Sequence, residues 1–122
     1  MDAETLARYT GPIDALCIEA AHSNNEFDVP VVLAILAIFE REAEGGLGYD
    51  HTLAGEVNGD CMEDSRIGYW YPKFNPIVSS TTTFDEKVAL ALALHRGAWY
   101  LRRVEVFGAE IFDPMAPGAL NF

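Results

Sequence analysis

Residues 31–39 read Val-Val-Leu-Ala-Ile-Leu-Ala-Ile-Phe. A helix that is apolar on every side has to lie inside a domain, with other elements packed around it. A buried parallel strand is the competing reading of such a run. Length favours the helix, as do Ala34, Ala37 and the good helix formers that continue through Glu40-Arg41-Glu42-Ala43-Glu44. Asp28 can cap this helix, Pro30 is tolerated in its first turn, and Gly45-Gly46 ends it.

A central helix of this kind needs partners, and the sequence supplies them on both sides. An N-terminal helical region runs from about Asp2 to His22, with an interruption expected near Gly11-Pro12. Its second part carries Ile13, Leu16, Cys17 and Ala20 at helical spacing. Ser23-Asn24-Asn25 is a turn. Thr83-Phe84-Asp85-Glu86 is a capping box that opens a long helix to about Val106. In that helix Val88, Leu92, His95 and Trp99 form a stripe flanked by Leu90, Leu94 and Leu101, and Arg102 and Arg103 suit the negative end of the dipole. Residues 45–82 are rich in Gly, Asp, Asn, Pro, Ser and Thr, which predicts short helices and loops or a small hairpin. The tail after Gly108, with Pro114 and Pro117, is expected to wrap over the surface. The chain of 122 residues, half of them hydrophobic, therefore reads as one mainly α domain, 1–122, built around a buried helix.

Charge narrows the function classes. With 19 acidic and 8 basic residues the formal net charge is -11, which repels phosphate backbones and argues against nucleic-acid binding. Such a surface could suit a basic protein partner. Cys17 and Cys61 could pair or could remain buried thiols, and the spacing of cysteines and histidines suggests no metal and no cofactor. His95 on its helix reads as a packed or hydrogen-bonded histidine. The first residues, Met1-Asp2-Ala3-Glu4, lack the basic start and apolar run of a signal peptide, and the apolar run of the central helix is shorter than the roughly 20 residues a membrane span needs. A soluble protein without membrane insertion is expected, cytoplasmic when made. If it acts on a cell wall, a phage particle or secretion machinery has to deliver it.

The candidate chemistry lies at the exit of the central helix. Glu42 stands one turn beyond Ile38 and Phe39 and two beyond Ile35, so it can lean over the core. Glu40 and Glu44 can face water together. At such a position partial burial and the negative end of the helix dipole both disfavour the carboxylate. A carboxylic acid that keeps its proton near neutral pH is what glycosidic cleavage requires, because the leaving oxygen must be protonated. The competing reading is a solvated helix end, with Arg41 neutralising a neighbour.

Leu36-Ala37-Ile38-Phe39-Glu40-Arg41-Glu42, followed by Gly45-Gly46, resembles the catalytic helix of the lysozyme-like lytic transglycosylases and goose-type lysozymes, in particular the short transglycosylases of conjugation systems and phages. Asn58-Gly59, then Asp64 and Ile67-Gly68, is similar to the family's loop that opens the substrate-lining segment, and 97–103 looks like the helix behind its cleft. The resemblance implies a small lysozyme-like fold that cleaves peptidoglycan glycan strands, with Glu42 as general acid and base. It also implies a substrate-lining role for Gly68 and for Tyr69-Trp70-Tyr71, which stand where the family has a Met-Gln pair. Sugars stack on aromatic faces, although Trp70 reads equally as a core anchor. Asp64 could orient water or the sugar. The replaced Met-Gln pair leaves a second reading open: a non-catalytic acidic binding or inhibitor protein that engages a basic surface, on an altered lysozyme-like fold or another one.

Overall fold

The computed structural model describes residues 2–45 and 64–108, with side chains described for 2–41 and 66–108. Those residues form four helices and no strand: α1 (Ala3–Ala21), α2 (Asp28–Gly45), α3 (Asp64–Ser79) and α4 (Phe84–Phe107). The chain is thus mainly α, as its hydrophobic periodicity predicts. None of the described helices is long and apolar enough to cross a membrane.

α2 is the buried helix. Val31, Val32, Ile35, Leu36, Ile38 and Phe39 are all inaccessible or nearly so, and α1, α3 and α4 each pack against it. The long α4 lies along both α1 and α2 and closes the core with Ala89, Leu90, Ala93, Leu94, Leu101 and Val104. Small residues let it come close. A Cβ added at Gly97 would stand 2.8 Å from Cys17 Sγ on α1, 3.3 Å from Ile13 Cγ2 and 3.6 Å from Leu36 Cδ1 on α2. Gly97 therefore marks the point where three helices converge. Cys17, beneath it, is a fully buried free thiol, and burial pushes its pKa well above the ordinary thiol value. Cys61 lies outside the described residues.

Three expectations need correction. α1 runs unbroken through Gly11-Pro12. Tyr9 and Ile13 are buried on either side of Pro12, and that packing outweighs the hydrogen bond the proline removes. The larger correction concerns 64–79, part of the 45–82 stretch expected to hold short helices and loops or a small hairpin. Residues Asp64–Ser79 form a single 16-residue helix with Pro72 and Pro76 inside it. Trp70 and Phe74, one turn apart, are both buried, so a strong apolar anchor on one face tolerates two prolines on the other. Third, Asp28 is the first residue of α2, and its carboxylate turns away from the helix end toward α3. The turn before α2 is shaped by Asn25, whose Oδ1 accepts from the Phe27 amide at 2.9 Å.

The capping box of α4 is formed as the sequence predicts. Thr83 accepts from the Glu86 amide at 3.1 Å, and Glu86 accepts from the Thr83 amide at 3.0 Å. Glu86 does more than cap. It also accepts from Arg8 at 3.1 Å and from the Tyr9 hydroxyl at 3.3 Å, tying α4 to α1. Hydrogen bonds from the Thr82 hydroxyl and from the Thr83 and Thr82 amides hold its pKa down at about 2. Similar ties join the other helices. Asp14 meets Arg96 at 3.2 Å (α1 to α4), Glu19 meets Lys73 at 3.4 Å (α1 to α3), and Glu40 meets His95 at 3.0 Å (α2 to α4). Part of the acidic surplus therefore holds the bundle together.

Candidate functional site

The sequence places its candidate acid, Glu42, in the last turns of α2. Its side chain, like that of Asp64 at the start of α3, lies outside the described residues. The turn that precedes Glu42 is described. Ile38 and Phe39 are buried, and the Phe39 ring packs on the Tyr71 ring with centroids 5.1 Å apart and planes 33° from parallel. The contact brings the Gly68–Tyr71 segment of α3 against the helix that carries Glu42. Glu40 is not turned freely to water as expected: its side chain is only 16% exposed, with Oε1 against His95 Nδ1.

Because 68–71 is helical, its three aromatic residues do not form one platform. Consecutive side chains on an α-helix diverge by about 100°. Tyr71 turns to Phe39, Trp70 turns into the core at 1% exposure, and Tyr69 stands outside at 45%. Arg66 and Lys73 lie over the Tyr69 ring, 4.5 Å and 4.4 Å from its centroid, so two cations already engage its π-cloud. Gly68 is exposed, and an added Cβ would meet nothing within 4 Å. Nothing in its surroundings calls for a glycine.

Tyr69 and Trp70 instead face a cleft of about 350 Å³ that they share with Ser23, His22, Asp28 and Arg66. Its floor is a buried ion pair that sequence reasoning missed. Arg66 donates from Nε to Asp28 Oδ1 at 2.7 Å and from Nη2 to Oδ2 at 2.8 Å, and the Ser23 hydroxyl donates to Oδ2. Burial raises the Asp28 pKa, but the hydrogen bonds from Arg66 and Ser23 and the Arg66 charge outweigh it, and the carboxyl stays below its ordinary value. The Trp70 indole N–H is buried beside the same carboxylate yet falls short of hydrogen-bond geometry. One signal could have pointed to the pair: Arg66 is one turn from the core anchor Trp70, so its side chain starts near the core, where an acid at the head of the buried helix can meet it. From Asp28 to Glu42 is 14 residues of helix, or about 21 Å along the axis. The cleft and the candidate acid thus occupy opposite ends of α2.

Among the described residues no three His, Cys, Asp or Glu side chains converge to hold a metal ion. No protein-family model matches this chain, and no curated protein or solved structure matches it either.

Proposed function

We propose that the protein cleaves the glycan strands of peptidoglycan with Glu42 as its general acid. The Phe39–Tyr71 ring contact carries this reading. It joins the helix that carries the Glu42 motif to the segment that follows Gly68, one turn before the glutamate. The buried register of Ile35, Ile38 and Phe39 adds support, since Glu42 continues the same stripe at the negative end of the dipole. In this mechanism Glu42 gives its proton to the glycosidic oxygen between N-acetylmuramic acid and N-acetylglucosamine. The resulting carboxylate then takes the proton of the muramyl hydroxyl as that oxygen closes on the anomeric carbon, giving an anhydro product. Attack by water on the same carbon is the hydrolytic variant.

The test is incubation of purified protein with peptidoglycan and mass spectrometry of the soluble products. Anhydro-muropeptides are expected, while new reducing ends would indicate hydrolysis. Glu42→Gln should abolish release while leaving helicity and Tm nearly unchanged. Full release by that variant, or none by the native chain, ends the proposal.

A specific observation favours a second reading, that of an acidic binding protein. Tyr69 is engaged by two cations, Trp70 is buried, and the cleft they line lies at the far end of α2 from Glu42. Such a protein would capture a basic partner with an affinity that falls with salt and with reversal of several surface acids, but not with Glu42→Gln.

A further inference from the structure

About 21 Å of α2 separates the cleft beside Asp28 from the position of Glu42, so the cleft is a site of its own. Its volume of about 350 Å³ lies at the small end of the roughly 300–1,000 Å³ typical of small-molecule sites. That is room for a single sugar-sized ring, not for a long stretch of polymer. The floor is fixed in advance. Asp28 and Trp70 are buried, and Arg66 and Ser23 hold the Asp28 carboxylate in place. A floor locked in this way loses little freedom when a ligand arrives.

The charges around the cleft are already paired. Asp28 meets Arg66, and Glu19 meets Lys73 at 3.4 Å. A cation entering here would be opposed by Arg66 and Lys73. An anion would be opposed by Glu19, on a chain whose net charge is -11. The rim instead offers hydrogen bonds of both kinds. His22, which caps α1, and Asn24, in the turn before α2, line the cleft with exposed side chains. An amide, like an imidazole in its neutral form, both donates and accepts. Glu19 gives one oxygen, Oε2, to Lys73, and a carboxylate has further lone pairs to offer. The hydroxyls of a sugar ring make the same mixed demand, each one donating and accepting. Tyr69 carries Arg66 and Lys73 over its ring, so it walls the cleft and does not serve as a stacking face.

We propose that this cleft binds an uncharged sugar ring, held through its hydroxyls by Glu19, His22 and Asn24 above the Asp28–Arg66 floor. A free monosaccharide and one unit of a glycan strand share this chemistry, and the test separates them. Binding here does not depend on cleavage, so Glu42→Gln should leave it unchanged.

The test is a nitrogen-15 NMR titration of the full chain with N-acetylglucosamine and with its linked tetramer. The Trp70 indole N–H, in the floor beside Asp28, is the reporter, and the Trp99 indole on α4 is the control. The Trp70 signal and the amides of 22–24 should move with a dissociation constant of roughly 1 mM, as suits so small a ligand. His22→Ala and Asn24→Ala, both at exposed positions, should each weaken binding about fivefold with an unchanged Tm. A tetramer that binds more tightly than the single sugar assigns the cleft to a glycan strand, and equal affinities assign it to a free sugar. The proposal is overturned if the native chain shows no shift with either sugar, if Trp99 moves as much as Trp70, or if both substitutions leave the affinity unchanged. Tighter binding of acetate or methylammonium at the same resonances overturns it too, because the cleft would then be an ion site.

Discussion

The two ends of α2 hold their carboxylates in opposite ways. At the N-terminal end Asp28 is fully buried and paired in bidentate fashion with Arg66. At the C-terminal end Glu40 is partly buried, 3.0 Å from a half-exposed histidine. Burial by itself therefore does not mark an acid for chemistry. The more deeply buried carboxylate is the one most firmly locked in its charged form, so it acts as a clamp between α2 and α3. An acid that must release and regain a proton belongs at the other end.

The largest effect is expected from removing the clamp. Arg66→Ala leaves the Asp28 charge buried without its cation, which costs about 3 kcal/mol, the lower end of the range because Arg66 is partly exposed. For a chain of this size that is roughly a 10 °C drop in Tm, measurable by circular dichroism. The pH dependence should also shift. In the native protein the folded pKa of Asp28 lies below the ordinary 3.8. Its contribution is therefore complete above that pH and is lost as the pH falls through the folded value. In the variant only Ser23 and the nearby Trp70 indole still oppose burial, so the pKa rises from its native position and the variant should recover stability relative to the native chain on acidification. A Tm difference that widens toward low pH would refute the assignment of Asp28 as the clamped anion.

A smaller loss is expected midway along α2, where no charge is involved. Gly97→Ala should cost about 1–2 kcal/mol, overpacking being only partly offset by the gain in helix propensity. Because the closest atom to the new Cβ is Cys17 Sγ, at 2.8 Å, Cys17→Ala should relieve most of that cost in the double variant. A double-mutant cycle in urea measures the coupling, and additive losses would mean that the helices do not meet there.

These sites also show what the sequence could and could not tell. The buried run at 31–39 and the capping box at 83–86 were legible because each rests on local pattern alone. α3 was not. Its prolines, glycine and serines lie between positions 64 and 79, and only the distant partners of Trp70 and Phe74 make the helix the better state. The sequence left Trp70 open between a substrate-lining role and a core anchor, and the helix decides for the anchor, with Tyr69 outside. The Asp28–Arg66 pair spans 38 residues and leaves no periodic trace. Pro12 misled in the same way, as a local breaker overridden by packing. The stripe of α4 was found by its spacing, but spacing alone does not say which of its residues meet the core: Leu92 is exposed, whereas Trp99 packs against the core.

Away from α2, Glu86 gives a milder and more exposed version of the clamp. Glu86→Gln should lower Tm at neutral pH by weakening the capping box and the link to Arg8. The folded pKa is about 2 against an ordinary 4.5. The native advantage should thus be complete above about pH 4.5 and vanish as the pH falls toward 2. Thermal melts at a series of pH values would show the two curves converging. A gap that stays constant would assign the loss to packing rather than to the charge.

The smallest change in stability is expected at the C-terminal end itself. Glu40→Gln keeps the side-chain shape and an acceptor for His95, and half-exposed pairs contribute little, so the loss should be under about 1 kcal/mol. The value of this variant lies in its contrast with Glu42→Gln. The two glutamates are two residues apart on a helix, so their positions fall on nearly opposite faces of α2. If cleavage needs the acid on the Ile35–Ile38–Phe39 stripe, Glu40→Gln should release muropeptides at close to the native rate and melt within a few degrees of the native protein. Loss of release with an unchanged Tm would instead move the proton donor to Glu40. His95, 3.0 Å from it, would then become the group that positions the acid.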